Sequence, residues 1–198
     1  LDQLLIGNKT LEILVIDDNS TDKSKKFLKL FKGKIRLFSN KKNKGIGYCS
    51  RLAVNKSRGK YFLRVDADDY ISKFTCEIMS SILESNNNLA YVYSDHNRID
   101  INGFSEKTIK PNTKKKVREH GAGVMFRTKM IKKIGNYNPQ FRQAEDHDLI
   151  LRLDKKFKSF YLPIPLYRYY IHGKNISLNV KNRDSFLKKI KKNASKNK

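Results

Sequence analysis

Short apolar runs separated by polar loops recur along the whole chain. The runs are rich in branched and aromatic side chains and end at Gly, Pro, Asn or Asp, which predicts β-strands. The predicted strands cover residues 11–16, 35–38, 61–65, 90–94, 121–126 and 159–162. Between them, apolar side chains recur at helical spacing, which predicts helices over about residues 20–31, 48–57, 72–85, 128–134 and 145–157.

The order of these elements is typical of an α/β protein. Strand, helix and strand follow one another repeatedly, so the default architecture is a mostly parallel sheet flanked by helices. Asn102 and Gly103 predict a turn before a basic loop, and Pro163 and Pro165 predict the end of the last strand. Residues 1–7 resemble the end of an amphipathic helix, and residues 181–198 form a basic tail, frayed or helical.

Composition supports one folded domain over residues 1–180. The chain has 198 residues with 11 Phe and 10 Tyr, and its net charge is +24. Such a charge favours polyanionic partners, but Lys is abundant everywhere, which fits solvated surfaces better than a specific nucleic-acid site. Residues 107–118 and the tail are the densest basic segments.

Two cysteines, Cys49 and Cys76, lack metal-binding spacing and are typical of free thiols in a reducing compartment. No apolar run reaches the length of about 18 residues that a membrane span needs. We therefore expect a cytoplasmic protein, with the basic segments able to hold it at the anionic inner face of a membrane.

An acidic run directly follows the strand at residues 61–65. Asp66, Asp68 and Asp69 would repel one another there unless a cation lies among them. In an extended segment Asp66 and Asp68 point the same way, so both can face one Mg²⁺ or Mn²⁺. The alternative is a solvated turn before the next helix, which a strand running straight into three acids makes less favourable.

Two further acidic pairs lie at element ends. Asp17 and Asp18 follow the first strand and could accept hydrogen bonds from a base or a ribose, or could simply cap the next helix. Glu145 and Asp146 open a helix, whose N-terminus keeps carboxylates ionised, as a general base requires. Helix capping is the alternative for this pair as well.

Weaker candidates are single residues. His172 could be a third metal ligand or a phosphate contact, and Lys44 and Arg51 could bind phosphate. Gly45 and Gly47 do not complete a dinucleotide-binding fingerprint, because the third glycine and the strand-turn-helix spacing are missing.

Taken in order, these motifs resemble the family 2 glycosyltransferases. The resemblance rests on the segments at residues 15–22, 43–45, 59–69 and 145–149, and it covers nearly the whole chain to Ser177. It implies a glycosyltransferase A fold, with a nucleotide-sugar-binding half at about residues 1–100 and an acceptor-binding half at about 101–180.

The resemblance also implies a role for each site residue. Asp17 or Asp18 would contact the nucleotide base, with Lys44 and Arg51 nearby. Asp66 would touch the ribose or the metal. Asp68 would bind Mn²⁺ or Mg²⁺, and His172 would be a late metal or diphosphate contact. Asp146 would deprotonate an acceptor hydroxyl, with Glu145 on the acceptor side.

The reaction implied is inverting transfer of a sugar from a nucleotide-sugar to a saccharide or lipid-linked acceptor, as in cell-envelope polysaccharide synthesis. The family's opening strand, which ends in a Pro-Thr-Tyr-Asn-like turn and lies mid-sheet, is missing here. We expect these 198 residues alone to be inactive or poorly folded, and the full gene product to be active. A well-paired sheet with a closed nucleotide pocket would contradict this.

Two other functions remain open from the sequence. A nucleotidyltransferase also binds metal and nucleotide on a related sheet, but it commonly carries an amino-terminal Gly-rich basic loop that is absent here. A non-enzymatic basic module would rest on the charge alone, and no nucleic-acid module signature accompanies that charge.

Overall fold

The computed structural model describes residues 11–111, 121–173, 175 and 178–196. The expected helix end at residues 1–7, most of the basic loop after residue 111, and Ser177 lie outside them. The described helices are α1 (Ser24–Leu28, continued by a 3-10 turn at Lys29–Phe31), α2 (Ile46–Lys56), α3 (Thr75–Ser85), α4 (Thr128–Lys133), α5 (Glu145–Asp154) and α6 (Val180–Lys196). The described strands are β1 (Leu14–Asp17), β2 (Arg36–Ser39), β3 (Tyr61–Leu63), β4 (Tyr70–Ile71), β5 (Leu89–Ile99), β6 (Ser105–Ile109), β7 (Val124–Arg127) and β8 (Lys158–Tyr170).

The mixed α/β architecture is confirmed, but the strand pairing differs from the expected single, mostly parallel sheet. The described strands form a parallel pair, β1–β2, and a separate sheet in the order β3-β7-β5-β8-β4, with β6 also paired to β5. Within that larger sheet only β5 and β8 run parallel, and the other pairings are antiparallel. The parallel prediction failed because the βαβ rhythm of the first half does not continue past β5.

The core lies on both faces of the larger sheet. On one face Tyr91, Phe126 and Ile150 pack together between the sheet and helices α4 and α5. On the other face Met79 of α3 packs against Val92 of β5. Alternating side chains of β5 and β7 therefore hold helices against both faces, as in other layered α/β folds.

The predicted tail begins as an ordered helix. Helix α6 starts at Val180, its Ile190 is only 2% exposed, and the ring of Phe186 lies 6.1 Å from that of Phe141. The tail therefore packs on the domain through an apolar side. Among the described residues, no helix combines the length and apolar character that a bilayer span requires.

Candidate active site

A cleft of about 1710 Å³ separates the β1–β2 pair from the larger sheet. Strands β1 and β3 both line it, and each has a strand partner on one side only within the described residues. Each of these two strands therefore has one edge without a strand partner among the described residues. The acidic run after β3 and the start of α5 line the same cleft.

The acidic run divides into inward and outward carboxylates. Asp69 is buried and accepts hydrogen bonds from the Tyr167 hydroxyl at 2.7 Å and the Tyr170 amide at 3.0 Å. Burial raises the pKa of Asp69 to about 6. Asp69 therefore ties the turn to β8, and Asp66 and Asp68, with side chains 34% and 43% exposed, are left to meet a ligand.

Asp68 and His172 lie together although 104 positions separate them in the chain. The His172 Nε2 atom is 2.9 Å from an Asp68 carboxylate oxygen. A carboxylate and an imidazole are ligands that Mn²⁺ accepts, with substrate phosphates and water completing its shell. The described residues contain no cluster of three or more acidic, His or Cys side chains that could hold a metal ion by themselves. The pair thus fits a metal shared with a phosphorylated ligand.

Asp18 holds the loop that precedes α2. Its carboxylate accepts hydrogen bonds from the Gly45 amide at 2.7 Å, the Asn40 side chain at 2.7 Å and the Lys44 amide at 2.9 Å. Burial raises the pKa of Asp18, but these donors outweigh burial and the net pKa lies below its usual range. Gly45 has φ 83°, a conformation glycine adopts freely. The Asp18 carboxylate is therefore already hydrogen-bonded to the loop at residues 40–45.

Asp17 is also turned inward. It is 4% exposed, it accepts a hydrogen bond from the Ser20 amide at 2.9 Å, and the Lys25 ammonium lies 3.9 Å away. Neither Asp17 nor Asp18 is part of the cleft lining. The structure therefore places this pair beside the cleft rather than in its wall.

Lys44 and Arg51 are engaged elsewhere. The Lys44 ammonium lies 2.9 Å from the Tyr48 hydroxyl and over the ring of the same residue. The Arg51 guanidinium donates to the carbonyls of Gly135 and Tyr137 at 2.8 and 2.9 Å, and Arg51 does not line the cleft. The structure thus places Arg51 between α2 and the loop after α4, and its contact with the donor stays a prediction.

The start of α5 carries the other acidic pair. Asp146 accepts hydrogen bonds from the His147 amide at 2.8 Å and from the Gly121 amide. The preceding Ala144 has φ 59°, the left-handed region that costs an alanine of order 1 kcal/mol. This strained residue turns the chain so that Glu145 and Asp146 meet the cleft at a helix N-terminus, where negative charge is stabilised.

Sequence reasoning missed Arg64, which lies between the two halves of the site. Its guanidinium donates to Glu145 at 2.5 Å, lies 3.1 Å from Asp66 and 3.8 Å from Asp146. Burial followed by repulsion from Asp146 raises the pKa of Glu145 above its usual range, even though Arg64 acts in the opposite direction. The available signal was a charged residue inside an otherwise apolar strand run.

Comparisons with known proteins identify the family. A family model described as "Glycosyl transferase family 2" matches residues 1–141. An uncharacterized glycosyltransferase of Methanocaldococcus jannaschii is 29% identical over 207 residues, covering 94% of this chain and 67% of that protein. An Escherichia coli chondroitin synthase is 27% identical over 182 residues, which is 85% of this chain but only 26% of the synthase.

A solved structure shares the fold. The mannosyltransferase PcManGT of Pyrobaculum calidifontis, in complex with GDP-Man and Mn²⁺, superposes with a TM-score of 0.71 at 13% identity. The match covers 94% of this chain and 55% of that protein, so the chain spans about half the length of this neighbour. The likeness at this identity concerns the fold alone.

Proposed function

Because the chain belongs to the family 2 glycosyltransferases, we propose that it transfers a sugar from a nucleotide-sugar donor to a saccharide or lipid-linked acceptor, with inversion at the anomeric carbon. The observation that carries the proposal is the convergence of the Asp66–Asp68 segment and the Glu145–Asp146 pair on one cleft. The first pair suits a donor diphosphate and the second suits an acceptor hydroxyl.

On the donor side, Asp68 and His172 would hold a divalent ion, for which Mn²⁺ is our first candidate. When bound, such an ion neutralises negative charge on the departing nucleoside diphosphate. Asp66, beside Asp68, would meet the ribose or the same ion. Asp18 would act by fixing residues 40–45 at the edge of the donor site, since its oxygens already accept three donors from that loop.

On the acceptor side, Asp146 would take the proton from the attacking hydroxyl. Its carboxylate accepts hydrogen bonds from two backbone amides at a helix N-terminus, and these contacts fix its direction in the cleft. Attack from the face opposite the leaving diphosphate is one direct displacement, and it inverts the anomeric configuration. A base held in line before the reaction lowers the entropic part of the barrier.

We also propose that the acceptor is a growing polysaccharide or a lipid-linked saccharide, used at the cytoplasmic face of a membrane. The chondroitin synthase relative supports a polysaccharide product. The net charge of +24 supports attraction to an anionic lipid surface.

The decisive experiment is a thermal-shift screen of the full-length protein with UDP, GDP and dTDP, each with and without Mn²⁺. One diphosphate should raise the unfolding temperature most, and only with the metal, because a ligand at 100 times its Kd adds about 2.7 kcal/mol to stability. Nucleoside diphosphate, rather than pyrophosphate, should then accumulate from the matching nucleotide-sugar, which separates this enzyme from a nucleotidyltransferase.

The matched variants are Asp68→Ala and Asp184→Ala. Asp184 is an exposed acid on α6, outside the cleft lining, so its removal changes the net charge equally without touching the proposed site. Asp68→Ala should abolish the metal-dependent shift and the transfer, and Asp184→Ala should preserve both. Unchanged transfer by Asp68→Ala would refute the metal-assisted reaction.

A further inference from the structure

Arg64 connects the two carboxylate pairs of the cleft through different nitrogen atoms. Its Nε atom lies 3.1 Å from Asp66, its Nη1 atom 2.5 Å from Glu145, and its Nη2 atom 3.8 Å from Asp146. The side chain is 17% exposed, and its stem comes from the segment that leads from β3 into the acidic run. One planar group therefore touches the proposed donor side and the proposed acceptor side at once.

Electrostatics explains why such a link is needed. Glu145 and Asp146 are buried, and Asp66 beside them is about one-third exposed. Three carboxylates this close without a cation would repel one another. An arginine fork can satisfy several carboxylates in fixed directions, whereas a lysine ammonium acts as a single point charge. Arg64 also lies 3.4 Å from the Ser50 hydroxyl of α2, so a third element contacts the guanidinium.

We propose that Arg64 is a positioning residue that sets the separation and direction of Asp146 relative to the donor-side carboxylate Asp66. The inference rests on the proposed function, because it gives Asp146 the role of base. Glu145 is the intermediate member of this link: it forms the shortest contact with Arg64 and is the helix neighbour of Asp146. Without Arg64, α5 would keep its helix and Asp146 its amide contacts, but the ion-pair link that sets their distance from Asp66 would be lost.

Arg152 provides the matched control, since it lies on α5, the helix that carries Glu145 and Asp146. It forms the same kind of ion pair, with Asp148 at 2.6 Å, and it also donates to the carbonyls of Ile134 and Asn136. These contacts tie α5 to the segment after α4, and Arg152 does not line the cleft. Arg152→Ala thus removes a comparable structural contact without touching the link between donor and base.

The experiment measures steady-state release of nucleoside diphosphate from UDP-, GDP- or dTDP-linked hexose by the full-length enzyme with Mn²⁺. Arg64→Ala should lower kcat about 10²-fold, the usual cost of misplacing a catalytic group by about 1 Å, with a much smaller change in KM for the donor. Free guanidinium at non-denaturing concentration should restore part of the kcat of Arg64→Ala. It should restore nothing in Arg152→Ala, whose kcat should stay near wild type.

Arg64→Lys covers the case in which Arg64→Ala fails to fold. A single ammonium cannot reach three carboxylates in three directions, so kcat should fall while the donor KM is preserved. Wild-type kcat in Arg64→Lys, or a loss confined to KM, would overturn the inference. If the wild-type enzyme transfers no sugar, or Asp146→Asn transfers as well as wild type, the proposed function fails instead, independently of any Arg64 variant.

Discussion

Gly121 lies where any side chain would collide with the proposed base. A methyl group on Gly121 would sit 2.7 Å from an Asp146 carboxylate oxygen and 2.9 Å from the Asp146 Cβ atom. At the same point the Gly121 amide donates to that carboxylate. Gly121, three residues before β7, therefore has no room for a side chain, because the Asp146 carboxylate occupies that space.

We therefore expect Gly121→Ala to displace Asp146 and to lower kcat about 10²-fold while the affinity for the nucleoside diphosphate stays near wild type. The measurements are steady-state kinetics and isothermal titration with the diphosphate and Mn²⁺. Gly59→Ala is the control, because its methyl group would meet the Tyr61 carbonyl oxygen at 3.0 Å instead of a carboxylate. Equal kcat in the two variants would contradict the expectation.

The role of a single residue can be predicted from sequence when the residues it contacts are close to it in the chain. The Asp66–Asp68 and Glu145–Asp146 pairs were recognisable because each directly follows or opens a regular element. The sequence could not show that Arg51 donates to the carbonyls of Gly135 and Tyr137, because these lie 84 and 86 positions away. Arg64 was missed for the same reason, since its acidic partner Glu145 is 81 positions away.

At the scale of elements, the backbone of helix α2 is in direct contact with the loop that leads to α5. A methyl group on Gly47 would lie 2.2 Å from the Phe141 carbonyl oxygen and 2.8 Å from that of Asn138. The backbone of α2 therefore packs directly on residues 138–141. This loop leads to the strained turn at Ala144, so the contact joins α2 to the segment that precedes α5.

Gly47→Ala should push α2 and this loop apart. We expect the free energy of unfolding to fall by about 1–3 kcal/mol, the usual cost of overpacking, measured by urea denaturation. Lys56→Ala, at the exposed end of the same helix, should change stability by no more than about 0.5 kcal/mol. A variant Gly47→Ala as stable as wild type would mean that the loop gives way freely.

The elements themselves were predicted well in type and poorly in extent. The strands and helices that the apolar pattern predicted are present, but β5 ends five residues later and β8 eight residues later than predicted. Strand β8 continues through Pro163 and Pro165, where its pairing with β5 slips and so accommodates residues that lack an amide donor. The mostly polar strand β6 and the two-residue strand β4 were missed because neither has an apolar run of its own.

At the scale of the whole molecule, positive charge dominates the surface. The chain carries 43 basic and 19 acidic residues, yet several of those acids are gathered in and around the cleft. Association with anionic surfaces and metal-dependent chemistry therefore depend on different parts of the protein, and the two should respond to different changes.

We expect the protein to sediment with vesicles containing anionic lipid at low ionic strength and to be released as salt approaches 1 M, where the screening length falls to about 3 Å. Asp68→Ala should bind the vesicles as wild type does, because general charge and not the cleft drives this association. Vesicles of neutral lipid are the control. Binding that survives high salt would indicate a specific lipid or apolar contact instead.

The cleft divides the molecule mechanically as well as chemically. Strand β1 contacts β2 and α2, whereas β5, β7 and β8 share a long ladder and both core clusters. In native-state hydrogen exchange, the amides of the β1–β2 pair should therefore exchange through local opening. The free energy of that opening should be well below the free energy of global unfolding. The loop at residues 40–45, which Asp18 holds, lies beside the β1–β2 pair. A nucleotide bound across the cleft would therefore slow amide exchange in this loop far more than in β5.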